Sequence, residues 1–222
     1  MSAGKHKLLQ PDPADVPKAV VSRLSLYLRE LQRLSQHGKN TVSSSQLGRL
    51  LGFTDAQVRK DLACFGHFGQ PGIGYRCDEL VGVIRRILGT DRTWTVALLG
   101  VGNLGRALLG YKGFAAKGFQ FVAAFDSDPR KADGVIDGVR VHPMDQLSEL
   151  VHRQRIQLAM LSVPAAAAQS VAELAIAAGV VGIVNFAPVT LSLPEHVSLV
   201  GVDLATELEQ IAFSVANRTN PR

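Results

Sequence analysis

A chain of 222 residues, 46% hydrophobic and 19% charged, has enough apolar mass for one large or two small folded cores. No apolar run approaches the ~20 residues of a membrane span, and two cysteines, Cys64 and Cys77, without Cys-x-x-Cys spacing, give neither a disulfide framework nor a zinc site. Charge is divided unevenly: residues 1–92 carry 14 Lys+Arg against 8 Asp+Glu, net +6, and residues 93–222 carry 10 against 11, net −1. A basic front half suits a polyanionic partner, with solvated charge as the plain alternative.

Residues 1–15 hold Lys5 and Lys7 but no apolar signal core, and Pro11 and Pro13 interrupt them. They read as a disordered lead-in, and the protein as cytoplasmic. Val20, Leu24, Tyr27, Leu28, Leu31 and Leu34 then recur at helical spacing. Pro17 opens that helix and Gly38 stops it, over about 17–37.

Two short helices follow, each behind a capping box, Ser43 with Gln46 and Thr54 with Gln57. The first carries Leu47, Leu50 and Leu51 and ends at Gly52; the second carries Val58, Leu62 and Phe65 and ends at Gly66. Helix, tight turn, helix is a helix-turn-helix unit. Val58, Leu62 and Phe65 share the inner face of its second helix, so Ala56, Arg59, Lys60 and Ala63 lie outside. An outward Arg-Lys pair near the start of a recognition helix can reach base edges in the major groove; a solubilising pair is the alternative. Gly66 to Tyr75 holds four glycines and reads as two short strands around a tight turn, a wing whose glycines permit close approach to phosphate. Leu80, Val83, Ile84, Ile87 and Leu88 make another helix, ended by Gly89.

From residue 93 strands alternate with helices, which argues a parallel sheet with crossover helices. The strands are Thr95–Leu99, Phe119–Phe125, Leu158–Ser162, Val181–Asn185 and Ser198–Val202, and helices begin near Leu104, Met144, Ala165 and Leu204. Between the first strand and its helix stands Gly100-Val101-Gly102-Asn103-Leu104-Gly105. This is the G-x-G-x-x-G dinucleotide pattern. Its glycines serve a tight turn, close approach to a pyrophosphate, and helix–strand packing. Asp126 closes the second strand 21 residues past Gly105. An acid there accepts from a ribose diol and repels a 2′-phosphate, favouring NAD(H).

The six histidines, His6, His37, His67, His142, His152 and His196, are scattered without a ligand pair, so no metal is expected. No Ser-x-x-x-Lys, Tyr-x-x-x-Lys or His-acid pairing of the usual reductase kind appears, and the nucleotide fold leaves no room for a substrate domain. The cofactor therefore reads as a signal, and no catalytic residue is assigned. Two alternatives stand beside that reading: a small NAD-dependent oxidoreductase, or a regulator of another nucleotide such as coenzyme A, whose 3′-phosphate Asp126 would repel.

In combination these residues resemble the Rex family of redox-sensing repressors. The resemblance covers about 17–217. It rests on Ser22-Arg23-Leu24 with Tyr27-Leu28-Arg29, Val42 to Leu47, Gln57-Val58-Arg59-Lys60-Asp61-Leu62, Gly72-Ile73-Gly74-Tyr75, the glycine loop, Phe125 to Pro129, and Asn185-Phe186-Ala187-Pro188. It implies a cytoplasmic homodimer that binds an inverted-repeat operator in double-stranded DNA, senses NADH against NAD+, and releases the operator when NADH binds. It divides the chain into a winged-helix DNA-binding domain over 16–90, a Rossmann NAD(H)-binding domain over 91–203, and a C-terminal swapped helix and tail over 204–222. It extends the cofactor contacts to Lys131, Val163, Pro164, Asn185 and Pro188. The DNA contacts it implies are Ser44, Ser45, Gln57, Arg59, Lys60, Gly72, Gly74 and Tyr75. A switch network of Arg29, Tyr111 and Asp203 is also implied. The final helix would carry the stripe Leu204, Leu208, Ile211 and Val215 into the partner subunit, packing on its own sheet being the alternative. One departure is Leu204, where some relatives place a Phe against the nicotinamide; ring stacking is lost there while an apolar wall remains. Cys64 and Cys77 read as small buried residues, with a thiol switch as the alternative.

Overall fold

The computed structural model describes residues 16–70 and 72–218; the lead-in 1–15 and residues 219–222 lie outside the described residues. The chain divides between Arg92 and Thr93 into two compact units.

In the first unit, helix α1 runs Lys18–Gln36, strand β1 Thr41–Val42, helix α2 Ser44–Leu51, helix α3 Asp55–Ala63, strand β2 Tyr75–Arg76 and helix α4 Cys77–Ile87. The Ser43 box forms in full, whereas the Thr54 box forms only by half, because the Gln57 side chain turns to Asp61 instead of reaching back. Ser43 Oγ accepts the Gln46 N–H while the Gln46 side chain accepts the Ser43 N–H, and Thr54 Oγ1 accepts the Gln57 N–H. Gly52, left-handed at φ 75°, ends α2. One core joins Leu24, Tyr27 and Leu31 of α1 to Leu47 of α2, Val58 and Leu62 of α3, and Leu80 and Ile84 of α4. Arg59, Lys60, Ala56 and Ala63 stay on the exposed side of α3. Leu50 also faces out, because Leu47 and the half-buried Leu51 already fill the inner side of α2.

The wing differs from a free two-stranded hairpin. Its arms share one bridge, Gln70 to Gly74, and the return arm β2 pairs antiparallel with β1, Val42 opposite Tyr75. A ribbon so rich in glycine has few side chains to hold its arms together, so its returning strand borrows a partner from the core. Gly74 is needed there: its φ is +88°, and a Cβ would sit 2.5 Å from the Val42 carbonyl oxygen.

The second unit contains β3 Trp94–Leu99, α5 Asn103–Gly110, α6 Gly113–Ala116, β4 Phe119–Asp126, β5 Val135–Ile136, β6 Val139–Pro143, α7 Leu147–Gln154, β7 Leu158–Leu161, α8 Ala165–Ala177, β8 Gly182–Asn185, β9 Ser198–Gly201 and α9 Leu204–Arg218. The sheet order is β5-β6-β4-β3-β7-β8-β9, parallel except for β5. The hairpin β5–β6 and the short α6 lie outside the elements expected from sequence. So does a 3-10 turn at Met144–Gln146, which delays α7 to Leu147.

Period-two alternation fills both faces of β3. Ala97 and Leu99 join a core under α7 and α8, while Leu98 joins Val101, Leu109 and Ala124 on the other face. Ala168, Ala172 and Ala175 let α8 press close to the sheet. The chain leaves β3 for β4 on one side and later for β7 on the other, so the strand order reverses at β3. A crevice opens at the carboxyl ends of strands where order reverses. Helix α9 has no buried residue, and Leu204, Leu208, Ile211, Phe213 and Val215 are among its exposed side chains.

Candidate nucleotide and nucleic-acid sites

The glycine loop lies at that crevice. Gly100 N–H donates to the Phe125 carbonyl at 2.8 Å, which ties the loop to the end of β4. Gly100 is left-handed at φ +94°, and Val163 at the end of β7 closes over it, 2.8 Å from where a Cβ would stand. A Cβ at Gly105 would overlap the Gly100 carbonyl oxygen, so α5 can start this close only with glycine. Ser162, not assigned from sequence, donates from Oγ to the same carbonyl at 2.7 Å. Gly102 caps α5 with no side-chain bond, and Asn103 and Leu104 are exposed on its first turn. First-turn N–H groups have no partner inside a helix, and the dipole there favours an anion. Pro164 begins α8, also without a side-chain cap.

Asp126 is buried at the rim of this loop. Its Oδ2 accepts the Val101 N–H at 2.7 Å and the Lys131 ammonium at 2.9 Å, and its Oδ1 accepts the Asp128 N–H at 2.9 Å. Burial pushes this carboxyl up, but the two backbone donors and Lys131 outweigh it and hold the acid below the usual range. Beside it Asp128 and Arg130 form an exposed pair at 2.9 Å. Thus Gly100, Val101, Gly102, Asn103, Leu104, Gly105, Asp126, Lys131, Val163 and Pro164 gather at the ends of β3, β4 and β7.

Two other assigned residues are placed differently. The Asn185 amide donates to the carbonyls of Ala187 and Val189 at 3.1 and 2.9 Å, and its Oδ1 accepts the Ala187 N–H. That side chain is a buried clamp on its own loop. Pro188 is exposed on a groove of about 490 Å³, shared with Asp203, Thr206 and Glu207.

In the first unit, Ser44, Arg59, Gly72, Gly74 and Tyr75 line a groove of about 600 Å³ between α3 and the wing. Arg59 leans on Asp55 at 2.6 Å and on Ser44 at 3.2 Å; Ser45 and Lys60 are exposed. Tyr75 and Gln57 are spent inside the fold. Tyr75 is a core residue whose hydroxyl burial pushes up. Gln57 donates to Asp61 at 2.7 Å.

Asp61 is the centre of a network that sequence spacing did not reveal. Only 1% exposed, it takes a two-pronged bond from Arg23, Nε at 2.6 Å and Nη2 at 2.9 Å, and a third from the Tyr27 hydroxyl at 2.8 Å. Burial pushes Asp61 up, but Arg23, Tyr27 and Gln57 outweigh it and hold it low. Burial beside that carboxylate pushes the Tyr27 hydroxyl up. The network joins α1 to α3. Its traces in the sequence are two pairs one helical turn apart, Arg23 with Tyr27 on α1 and Gln57 with Asp61 on α3.

The three switch candidates occupy simple local settings. Arg29 is exposed on α1. Tyr111 is exposed after α5, its ring edge-on to Phe114 at 5.0 Å. Asp203 caps α9, accepting from Ala205 at 2.9 Å and Thr206 at 3.3 Å. Cys77 is buried, whereas Cys64 is exposed, because it follows the last turn of α3 on the solvent side. Among the described residues no helix is long and apolar enough to cross a membrane, and no cluster of three or more His, Cys, Asp or Glu could hold a metal.

Comparison with known proteins gives matches to both units. Residues 91–189 match a family described as a CoA binding domain, and residues 15–63 one described as a putative DNA-binding protein N-terminus. The redox-sensing transcriptional repressor Rex of Desulfitobacterium hafniense is 45% identical over 203 residues, covering 91% of this chain and 97% of the relative. That of Streptomyces griseus is 42% identical over 198 residues, covering 89% and 78%. A crystal structure of RSP in complex with β-NAD+ and operator DNA aligns with TM-score 0.87 at 35% identity, covering 92% of this chain and 94% of that one. RSP in complex with β-NADH aligns with TM-score 0.84 at 33% identity, covering 92% and 96%.

Proposed function

We infer that this chain, which belongs to the Rex family of redox-sensing transcriptional repressors, is a DNA-binding repressor that reads the NADH/NAD+ ratio and leaves its operator when NADH binds. The observation that carries the reading is the pairing, in one chain, of a helix-turn-helix with outward Arg59 and Lys60 and a glycine cradle closed by Asp126. The residues present fit a dinucleotide. An uncapped helix start suits a pyrophosphate, and Asp126 suits the hydroxyls of a ribose. RSP, a structural neighbour, has been seen with β-NAD+ and operator DNA and with β-NADH.

Under this reading Gly100 to Gly105, Asp126, Lys131, Val163 and Pro164 hold the nucleotide, with Asn185 and Pro188 supporting the nicotinamide side. Arg59 and Lys60 reach bases, while Ser44, Ser45, Gly72 and Gly74 approach phosphates. Tyr75 and Gln57 act by holding the wing and Asp61. Arg29, Tyr111 and Asp203 form the switch network in one cofactor state. The protein is a homodimer, and the exposed apolar stripe of α9 supports docking into a partner subunit. It turns over no substrate.

The mechanism follows from the charge of the ligand. The nicotinamide of NAD+ is cationic and that of NADH is neutral. An apolar pocket prefers the neutral ring, since burying an unpaired charge is costly. NADH then favours a dimer whose two recognition helices no longer match half-sites one helical turn apart. A near-complete switch needs about 5.5 kcal/mol of preference between the two states.

The test begins with a duplex selected from a random library by the protein itself. Titration of that complex with NADH should release the DNA at concentrations where NAD+ does not. Equal release by both overturns the redox-sensing reading. The match of residues 91–189 to a CoA binding domain favours a second reading, a repressor of the same build that answers to coenzyme A. Release by coenzyme A and by neither dinucleotide would establish it.

A further inference from the structure

We propose that Lys131 determines which ribose the nucleotide site accepts: paired with Asp126, its ammonium offsets the acid's rejection of a 2′-phosphate. The inference rests on the dinucleotide reading above and deepens it. An acid at the end of the second strand of this fold ordinarily acts as a bare negative charge toward the adenosine ribose. Here it is not bare. Three donors already occupy it, two on Oδ2 and one on Oδ1.

An ionised carboxylate offers about four acceptor positions. With three filled, one is left for a ribose that brings two hydroxyls. The Val101 and Asp128 donors are backbone N–H groups and cannot withdraw without moving the glycine loop or the turn after β4. Lys131 can. Its side chain is about a third exposed, at 32%, and a lysine's four-carbon stem is flexible enough to turn the ammonium aside without moving backbone. Arg130 is the neighbouring cation, and Asp128 holds it through two bonds at 3.0 and 2.9 Å, so its charge is already matched.

Two consequences follow. An unphosphorylated ribose competes with the ammonium for Asp126. A ribose with a 2′-phosphate meets Asp126 and Lys131 together, and the ammonium released from the acid moves onto the phosphate. Lys131 therefore works against the first ligand and for the second. The site is less selective against NADPH than its acid suggests.

The experiment measures NADH affinity directly and NADPH affinity by competition, in wild type, Lys131→Gln and Lys131→Arg. Lys131→Gln should lower the NADPH-to-NADH affinity ratio by about tenfold, the scale of one unit-charge contact near a solvated surface. Lys131→Arg, which keeps the charge, should stay within about threefold of wild type. The proposal is overturned if Lys131→Gln leaves the ratio unchanged, if it weakens both ligands equally, or if NADPH at millimolar concentration never competes in wild type. Failure of wild type to bind NADH at all would instead overturn the dinucleotide reading beneath it.

Discussion

Asp61→Ala removes one buried acceptor and strands three donors at once. The carboxylate takes two bonds from Arg23, one from Tyr27 and one from Gln57, all between 2.6 and 2.9 Å. Breaking a buried ion pair by deleting one partner costs ~3–5 kcal/mol, because the surviving charge stays buried. Arg23 is 20% exposed and can recover some water, which places the loss near the low end, ~3 kcal/mol. That is a large share of the ~5–15 kcal/mol that holds a domain folded. Urea unfolding followed by two probes measures it. Trp94, the chain's single tryptophan, lies in β3 and reports the second unit, while helical circular dichroism reports both. The variant should lose a first portion of its helical signal at lower urea, before the Trp94 transition. A loss under ~1 kcal/mol, with both probes unmoved, refutes the reasoning. The acid side tests it independently. The folded-state pKa of Asp61 lies below that of the unfolded chain, so its contribution is full above about pH 4 and fades as pH falls through the folded value. Asp61→Asn should be less stable at neutral pH and flatter through that acid window.

Gly105→Ala should weaken NADH binding at least tenfold in a fluorescence titration, because its Cβ overlaps the Gly100 carbonyl; undiminished affinity would mean the loop is not the cradle. Arg59→Ala and Lys60→Ala should each cost ~1–3 kcal/mol of operator affinity if they reach bases, and two unchanged affinities would remove α3 as the reading helix. Ile211→Asp places a charge on the exposed apolar face of α9 and should shift sedimentation from dimer to monomer; an unchanged coefficient would take α9 out of the interface.

The parts of the fold that sequence displayed are those with a local physical signature. Ser43, Gln46, Thr54 and Gln57 announced their helix starts, because a cap is a fixed-offset arrangement. Val58 and Leu62 announced the buried side of α3 by their period, while the helix expected to run to Gly66 ends at Ala63 and leaves Phe65 buried just beyond it. The parts it hid fall into two kinds. Strands β1 and β2 have two residues each, too few for any period, and they exist because distant backbone supplies their partner. Asp61, Gln57 and Asn185 hide for a different reason: a polar side chain turned inward looks like one turned outward until its partners are known. The hairpin β5–β6 has a local signature too: Asp137 and Gly138, both with positive φ, form a tight turn between Val135–Ile136 and Val139–Pro143, and Asp-Gly flanked by Ile136 and Val139 is a hairpin signal.

The bond from Val101 to Asp126 has a consequence for where information enters the molecule. It ties the glycine loop to β4 through protein atoms alone, so the bond that shapes the cradle does not depend on a dinucleotide. A preformed cradle spends little ordering entropy on its ligand, and its grip is correspondingly indifferent. The adenosine and pyrophosphate of NAD+ and NADH are the same chemical groups. Whatever separates the two redox forms must therefore be felt at the other end of the ligand. On the proposed reading, the most recognisable motif in the chain supplies affinity common to both forms and is blind to the difference between them.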